Sequence, residues 1–393
     1  MKKKTTENPE EAKQAKKLRI FINSNADWAT SGYAMQLSEM LDAWQSEGYP
    51  IGVCAFHGLE GGIIEYKGRT YYPKINHLYG SDALVHHARD FRADVCFTLQ
   101  DIWVLHPQDL QNTNRFIPIV PIDHKPVPQS ILNNLKFAYR IVTYSQFGHD
   151  ELLRHGLHST YIQHTVDTSV FKPLDKSENK GFPEGSYVVG MVSANKENPP
   201  RKSFQEAMDA FKLFKEKVPN AVLYLHTRPE FPGGFPIREY ANFIGILGSV
   251  FFPDEYLMNF RYGKEEMAKV YNHMDMLLCP SINEGFGVPI IEAQACGIPV
   301  VVNNSTSMPE LIRNHVTGEV CDFVYNRFDA IQSFVQQPSH ESIFDCMMRI
   351  YKRDKEEQSK AARAFMVENY DTKKIMKEKW FPFLDKLEKE IYS

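Results

Sequence analysis

From Leu18 onward, short apolar runs alternate with longer stretches in which apolar residues recur every three or four positions. That alternation predicts βαβ units around a mainly parallel sheet. Leu18 to Asn23 reads as the first strand, and Ser31 to Gly48 as a helix with the stripe Leu37, Met40, Leu41 and Trp44. Ile51 to Phe56 is the next strand, Ile63 to Tyr72 a hairpin turning at Lys67-Gly68, and Asp94 to Leu99, Ile117 to Ile122 and Arg140 to Tyr144 are further buried strands. The pattern stops between Phe171 and Gly185, where Pro, Gly and charged residues carry no periodic apolar content, as an interdomain linker does. It restarts with strand Tyr187 to Val192, helix Ser203 to Lys217, strand Ala221 to His226, helix Lys264 to Asn272, strand Asp275 to Cys279, helix Pro289 to Cys296 and strand Ile298 to Val302. After about Asp329 the chain reads as mostly helical to its end.

The expected organisation is a charged tail at 1–17, an α/β domain at 18–175, a second at 186–370 and a final helix at 371–393. Two such halves leave a cleft where the carboxyl ends of two sheets face each other, the usual ligand site of open α/β sheets.

Composition narrows the classes of function. The 393 residues are 43% hydrophobic and 24% charged, with net charge −4, which suits two cores and gives no generally basic nucleic-acid surface. Six scattered cysteines without zinc spacing predict buried thiols and a cytoplasmic setting. The longest nearly apolar run, Ala241 to Phe252, is interrupted and too short to span a membrane. Met1 to Arg19 carries net +4 without an apolar core, so it reads as a solvated tail with some attraction to anionic lipid or nucleic acid.

The chemistry concentrates in Pro280 to Pro299, which contains EGFGVPIIEAQACGIP. The segment follows a strand, turns at Gly285 and Gly287, and enters a helix near Pro289, so the amides of Gly285, Phe286, Gly287 and Val288 form an anion site. Glu284 in the loop and Glu292 on the expected first turn are two carboxylates on one side of a ligand. A glycosidase pair would instead flank a scissile bond.

Glu284-(x7)-Glu292 resembles the E-x7-E element of retaining, nucleotide-sugar-dependent glycosyltransferases of the GT-B fold, family 4 (glycosyl transferases group 1). Lys264 to Asp275 resembles the helix before that element, Ser307 to Ile312 with Gly318 the segment after it, and Val166 to Pro173 the exit from the N-terminal domain. The resemblance covers most of residues 160 to 325 and implies two Rossmann-like domains facing a cleft, with a last helix crossing back near Asp371. It implies that Glu292 accepts from the ribose hydroxyls and Glu284 from the donor sugar. Lys202 lines up with the family's phosphate lysine. The family's usual arginine is missing, and Asn195, Lys196 or Arg201 stands in its place.

In the N-terminal half, Asp27, Trp28, Ser31, Gly32 and Tyr33 follow the first strand. By position Gly32 lies near phosphate or acceptor, and Asp27, Trp28 and Tyr33 face an acceptor. The resemblance makes His124 the histidine beside the reacting bond, with Asp123 orienting it. No D-x-D pair is present, so no metal or other cofactor is expected, and Lys202 with the helix amides takes a cation's role. The expected donor is a UDP- or GDP-sugar. The acceptor is a glycan, a lipid-linked sugar, a protein or a modified nucleic-acid base. Trp380, Phe381, Phe383 and Leu384 form either the docking face of the last helix or a face for peripheral membrane contact. Two other readings of the architecture are a sugar-nucleotide epimerase and a catalytically silent sugar-nucleotide or glycan binder.

Overall fold

Each βαβ unit predicted by the pattern needs a strand apolar on both faces, because helices cover a parallel sheet on both sides. The computed structural model describes residues 16–175, 181–260 and 262–393. Most of the charged tail and the middle of the expected linker lie outside the described residues.

The first sheet contains β1 (Ile20–Asn25), β2 (Ile51–His57), β3 (Ile64–Tyr66), β4 (Arg69–Tyr72), β5 (Val95–Leu99), β6 (Phe116–Val120), β7 (Val142–Thr143) and β8 (Thr160–Tyr161). Its order is β3-β4-β2-β1-β5-β6-β7-β8, parallel except for the edge hairpin β3-β4. That hairpin turns where expected, with Lys67 at φ 51° and Gly68 at φ 74°. Two successive left-handed residues match the twist of a two-residue hairpin. β1, wholly buried, pairs Ile22 with Val53 on one side and with Phe97 on the other.

The second sheet contains β9 (Tyr187–Val192), β10 (Ala221–His226), β11 (Val250–Phe251), β12 (Met276–Cys279), β13 (Val300–Asn303) and β14 (Gly318–Cys321), all parallel in the order β11-β10-β9-β12-β13-β14. In both halves the chain winds first to one side of the opening strand and then to the other. The switch points fall between β1 and β5 and between β9 and β12, which is where a ligand crevice opens at the strands' carboxyl ends.

One segment departs from expectation. Residues after Asp329 do not turn helical at once, because β15 (Phe323–Phe328) and β16 (Phe334–Pro338) form an antiparallel hairpin. β15 is rich in Phe, Val and Tyr and β16 opens with Phe-Val, strand formers that a helical reading overlooks. The hairpin reaches the N-terminal domain, where the Phe334 amide donates to Lys125 O at 3.1 Å and Ser333 Oγ to Pro126 O at 2.7 Å.

The chain returns to the N-terminal domain at Asp371. The Val166 amide donates to Tyr370 O and the Thr372 amide to Val166 O, adding a parallel bridge. The last helix, Phe381–Tyr392, then packs on the N-terminal domain: Trp380 lies 5.2 Å from the Trp44 ring, and Leu384 and Leu387 are buried. Phe381 is only half-buried. The aromatic face expected either to dock or to touch a membrane is therefore covered by protein. No helix among the described residues is long and apolar enough to cross a membrane.

Candidate functional site

The loop after β12 builds the first wall of the cleft. Gly287, at φ 111°, is the cap of helix Val288–Ala295, whose first turn contains Pro289. A side chain there would be strained by the backbone and would meet Ile290 Cδ1 at 2.6 Å. At Gly285 an added Cβ would meet Pro121 Cβ at 2.9 Å and Tyr144 Oη at 3.1 Å, both on the opposite domain. The glycine thus lets the two walls close on each other. Thr306 and Ser307 brace the loop: the Thr306 hydroxyl lies 3.0 Å from the Glu284 amide, and Ser307 Oγ lies 2.8 Å from Glu284 O and 3.0 Å from Phe286 O.

Glu284 is ion-paired with Lys202 through a short contact and with Arg201 at 3.4 Å. Arg201 also donates from Nη1 to Asn283 O at 2.5 Å. Burial alone would raise the Glu284 carboxyl, but Lys202 and Arg201 outweigh it and hold it down at about 2. Two cations therefore converge beside a helix N-terminus, with Glu284 bridging them and Glu197 also on Arg201, so an anionic ligand entering there would meet Lys202, Arg201 and the helix amides.

Glu292 behaves in the opposite sense. It is the fifth residue of its helix, not on the first turn, because the helix begins at Val288. It is buried and accepts from Tyr271 Oη at 2.7 Å. Burial pushes its carboxyl up to about 8, against the Tyr271 hydrogen bond, with Glu39 adding to the rise and Lys264 opposing it. A raised carboxyl retains a proton that the unfolded chain releases, so its contribution to stability is fully present below the unfolded value and is lost as pH rises toward about 8. Glu292→Gln should therefore gain stability relative to wild type between pH 5 and 8. The thermal midpoints should converge below pH 4.5, and a constant offset across that range would show that ionisation of Glu292 plays no part.

The facing wall comes from the loops after β5, β6 and β7. His124 Nδ1 lies 2.6 Å from Asp123 Oδ1, and its Nε2 lies 2.9 Å from Asn283 Nδ2. The tautomer that lets Asn283 donate to Nε2 is the one with its proton on Nδ1, facing Asp123. Asn283 also donates to Asp123 O at 2.9 Å, so it ties the two domains together at the cleft. Tyr33 points its hydroxyl at Asp101 Oδ2, 3.5 Å away. Nothing crowds Gly32, where an added Cβ would find no atom within 4 Å.

The structure brings together Glu284, Lys202, Arg201, Asp123, His124 and Tyr33, and it adds Asn283, Asp101 and Tyr144, which the sequence reading did not single out. Asn283 had a signal, since it directly precedes Glu284 in the turning loop. Asp101 had one too, as the polar residue just beyond β5.

Other expected site residues have different roles. Asp27 is not presented to an acceptor: its side chain is 1% exposed, accepting from Tyr71 Oη at 2.8 Å and pairing with Arg69 Nη1 at 3.3 Å. Arg69, itself buried in β4, takes the carboxylate that the loop position was expected to leave free. Trp28 is exposed, but its Nε1 donates to Gly58 O at 2.9 Å and its ring packs on Tyr66 and Tyr71, away from the Tyr33–Asp101 pair. Asn195 is buried: it donates to Phe235 O at 2.9 Å and accepts from the Phe235 amide at 2.8 Å, so its amide clasps the 228–235 loop. Its side chain does not take the missing arginine's place; of the other two candidates, Lys196 is exposed and Arg201 stands beside Glu284. Phe286 is buried against His164, Tyr144 and Tyr370, so only its backbone is available to a ligand.

Known proteins resemble this chain in two ways. Residues 174–341 match the family described as Glycosyl transferases group 1. Over 73 residues the chain is 41% identical to the O-antigen chain mannosyltransferase B of Escherichia coli, covering 19% of this chain and 18% of that protein. Over 59 residues it is 41% identical to a D-inositol 3-phosphate glycosyltransferase of Mycobacterium sp. (strain KMS), covering 15% and 13%. The aligned part thus spans less than a fifth of the length of either curated relative. Among solved structures, sucrose-phosphate synthase from Thermosynechococcus elongatus superposes with a TM-score of 0.74 at 13% identity, over 94% of this chain and 99% of that one. Anabaena Alr3699/HepE in complex with UDP-glucose superposes with a TM-score of 0.67 at 15% identity, over 92% and 98%. The chain therefore has the GT-B fold, and its residues 174–341 match the glycosyl transferases group 1 family.

Proposed function

We propose that this chain transfers a sugar, a hexose or close relative, from a UDP- or GDP-sugar to an acceptor hydroxyl, retaining the anomeric configuration and using no metal. The observation that carries the reading is the Lys202–Arg201–Glu284 cluster beside the N-terminus of helix Val288–Ala295, facing Asp123 and His124 across the cleft. The donor's diphosphate enters beside the two cations and the helix amides, which stabilise the charge that builds as it leaves. Glu284, relieved of its cations, accepts hydrogen bonds from the donor sugar, and Glu292 accepts from the ribose. The acceptor hydroxyl attacks from the face that the leaving phosphate occupies and gives that phosphate its proton, so no carboxylate base is needed. His124, oriented by Asp123, contacts the sugar near the reacting bond. The acceptor is a glycan, a lipid-linked sugar, a protein or a modified nucleic-acid base, and all six buried free cysteines suit a cytoplasmic enzyme, free or peripheral to a membrane.

The test is a screen of UDP-, GDP- and ADP-sugars in buffer containing EDTA, reading release of the nucleoside diphosphate and the anomer of the product. Release from one donor, lost in Glu284→Gln, supports the reading. Tight nucleotide binding with no release from any donor overturns it, and inverted free nucleotide sugar would identify an epimerase.

A further inference from the structure

The N-terminal wall holds a carboxylate to which the donor chemistry above assigns no work. Asp101 lies two residues beyond β5, the strand beside β1 at the switch point of the first sheet. Tyr33, in the first turn of helix Gly32–Ser46, rises from the other side of the same switch point. The two meet at 3.5 Å, a long hydrogen bond, and among the described residues Asp101 has no ion-pair partner. Its surroundings are set by four groups: Tyr33, Tyr144 from beyond β7, Asp123 from beyond β6, and Arg201 across the cleft. Asp123 is already engaged with His124, and Arg201 with Glu284.

An underused carboxylate beside a phenol, in a crevice, is arranged to accept from hydroxyl groups. A phosphate or carboxylate ligand there would face Asp101 and Asp123 together. We propose that Asp101, positioned with Tyr33, binds the acceptor of the transfer reaction, and that the part of the acceptor received there is a neutral polyol. The inference rests on the proposed glycosyl transfer. It makes Asp101 an acceptor-binding residue and not a base, because the proton of the attacking hydroxyl leaves with the phosphate. Burial and the charge of Asp123 push the Asp101 carboxyl up to about 6, with Arg201 opposing. The ionised form is the stronger hydrogen-bond acceptor, so acceptor binding should weaken as pH falls through that value.

The experiment uses the full chain with the donor it turns over and measures how that sugar divides between water and an added polyol, with glycerol and methyl α-glucoside as probes. In wild type, part of the sugar should go to a polyol. In Asp101→Asn and Tyr33→Phe the transfer-to-hydrolysis ratio should fall, by about tenfold or more for Asp101→Asn, the size expected for a lost hydrogen bond to a charged group. The wild-type polyol KM should climb below pH 6, and in Asp101→Asn it should stay flat. An unchanged ratio in Asp101→Asn, or equal loss of hydrolysis and transfer, overturns the assignment. Wild-type hydrolysis with no polyol product overturns the polyol class. No release of nucleoside diphosphate by wild type overturns the parent reading instead.

Discussion

Lys202→Ala is expected to lower release of nucleoside diphosphate from the donor by about a hundred- to a thousandfold, the usual loss when one preorganised charge is removed from a developing anion. The loss should fall mainly on kcat, since the charge on the phosphate grows as the bond breaks. The same substitution has a signature independent of catalysis. Glu284 is held at about 2 by Lys202 and Arg201 against its own burial. A carboxyl lowered in the folded state contributes stability that is present above its unfolded value and lost as pH falls toward 2. With Lys202 gone, less of that stability remains to be lost, so the acid limb of the stability curve should flatten. Full activity in Lys202→Ala would remove the cluster from the site, and an unchanged acid limb would show that the ion pair does not form in solution. Arg201→Ala should act in the same direction with a smaller effect, because its guanidinium stands 3.4 Å from Glu284 and is shared with Glu197 and Asn283 O.

The C-terminal wall of the cleft was legible in the sequence because its geometry is local. A strand, a turn with two glycines and a helix opened by proline dictate where Glu284 falls, and Lys202 occupies the equivalent place after β9. The N-terminal wall was less legible because its partners come from distant segments. Asp27 sits in the kind of post-strand loop that often carries function, yet Arg69, 42 residues away, buries it in an ion pair. The useful signal was Arg69 itself, a charge within an aromatic strand that needed a partner. Asn195 was misplaced for the same reason, since its amide is taken up by Phe235, 40 residues on. Asp101 and Asn283 gain meaning only when the sheet order sets β5 beside β1 and the second domain folds over the first. The hairpin β15–β16 was missed because Asn326, Arg327, Gln336 and Gln337 interrupt its apolar residues, so no strand period is sustained.

Several contacts bind the two walls at fixed points around the cleft. Glu310 of the C-terminal half accepts from the Gln146 and Phe147 amides at 2.8 and 2.9 Å, at the start of an N-terminal-domain helix. Lys264 reaches Glu39 at 3.0 Å, and Asn283 reaches Asp123 and His124. The two walls are therefore held in register by polar contacts that can exchange with water or ligand, whereas the apolar return of the last helix supplies the lasting attachment.

That attachment carries the largest expected stability effect. Trp380 is 2% exposed, with ring centroids 5.2 Å from Trp44, 6.4 Å from Phe97 and 6.0 Å from Phe383. Trp380→Ala empties that space beneath the final helix and should destabilise the N-terminal domain by about 3–5 kcal/mol. For a domain of this size that lowers the melting temperature by roughly 6–20 °C. Trp103→Ala is the control, because a side chain 58% exposed should change stability by no more than about 0.5 kcal/mol. Hydrogen exchange separates local release from global loss: amides of Phe381–Tyr392 should lose protection first, because beyond its apolar face that helix is held by side-chain contacts, Glu388 accepting from the Leu18 amide and Glu390 from Arg140. At 25 °C, with the variant still folded, donor turnover should stay close to wild type, since Trp380 touches neither Glu284 nor His124. A Trp380→Ala protein as stable as the control would mean that the last helix is not docked on the N-terminal domain, and the aromatic face would then be free for another surface.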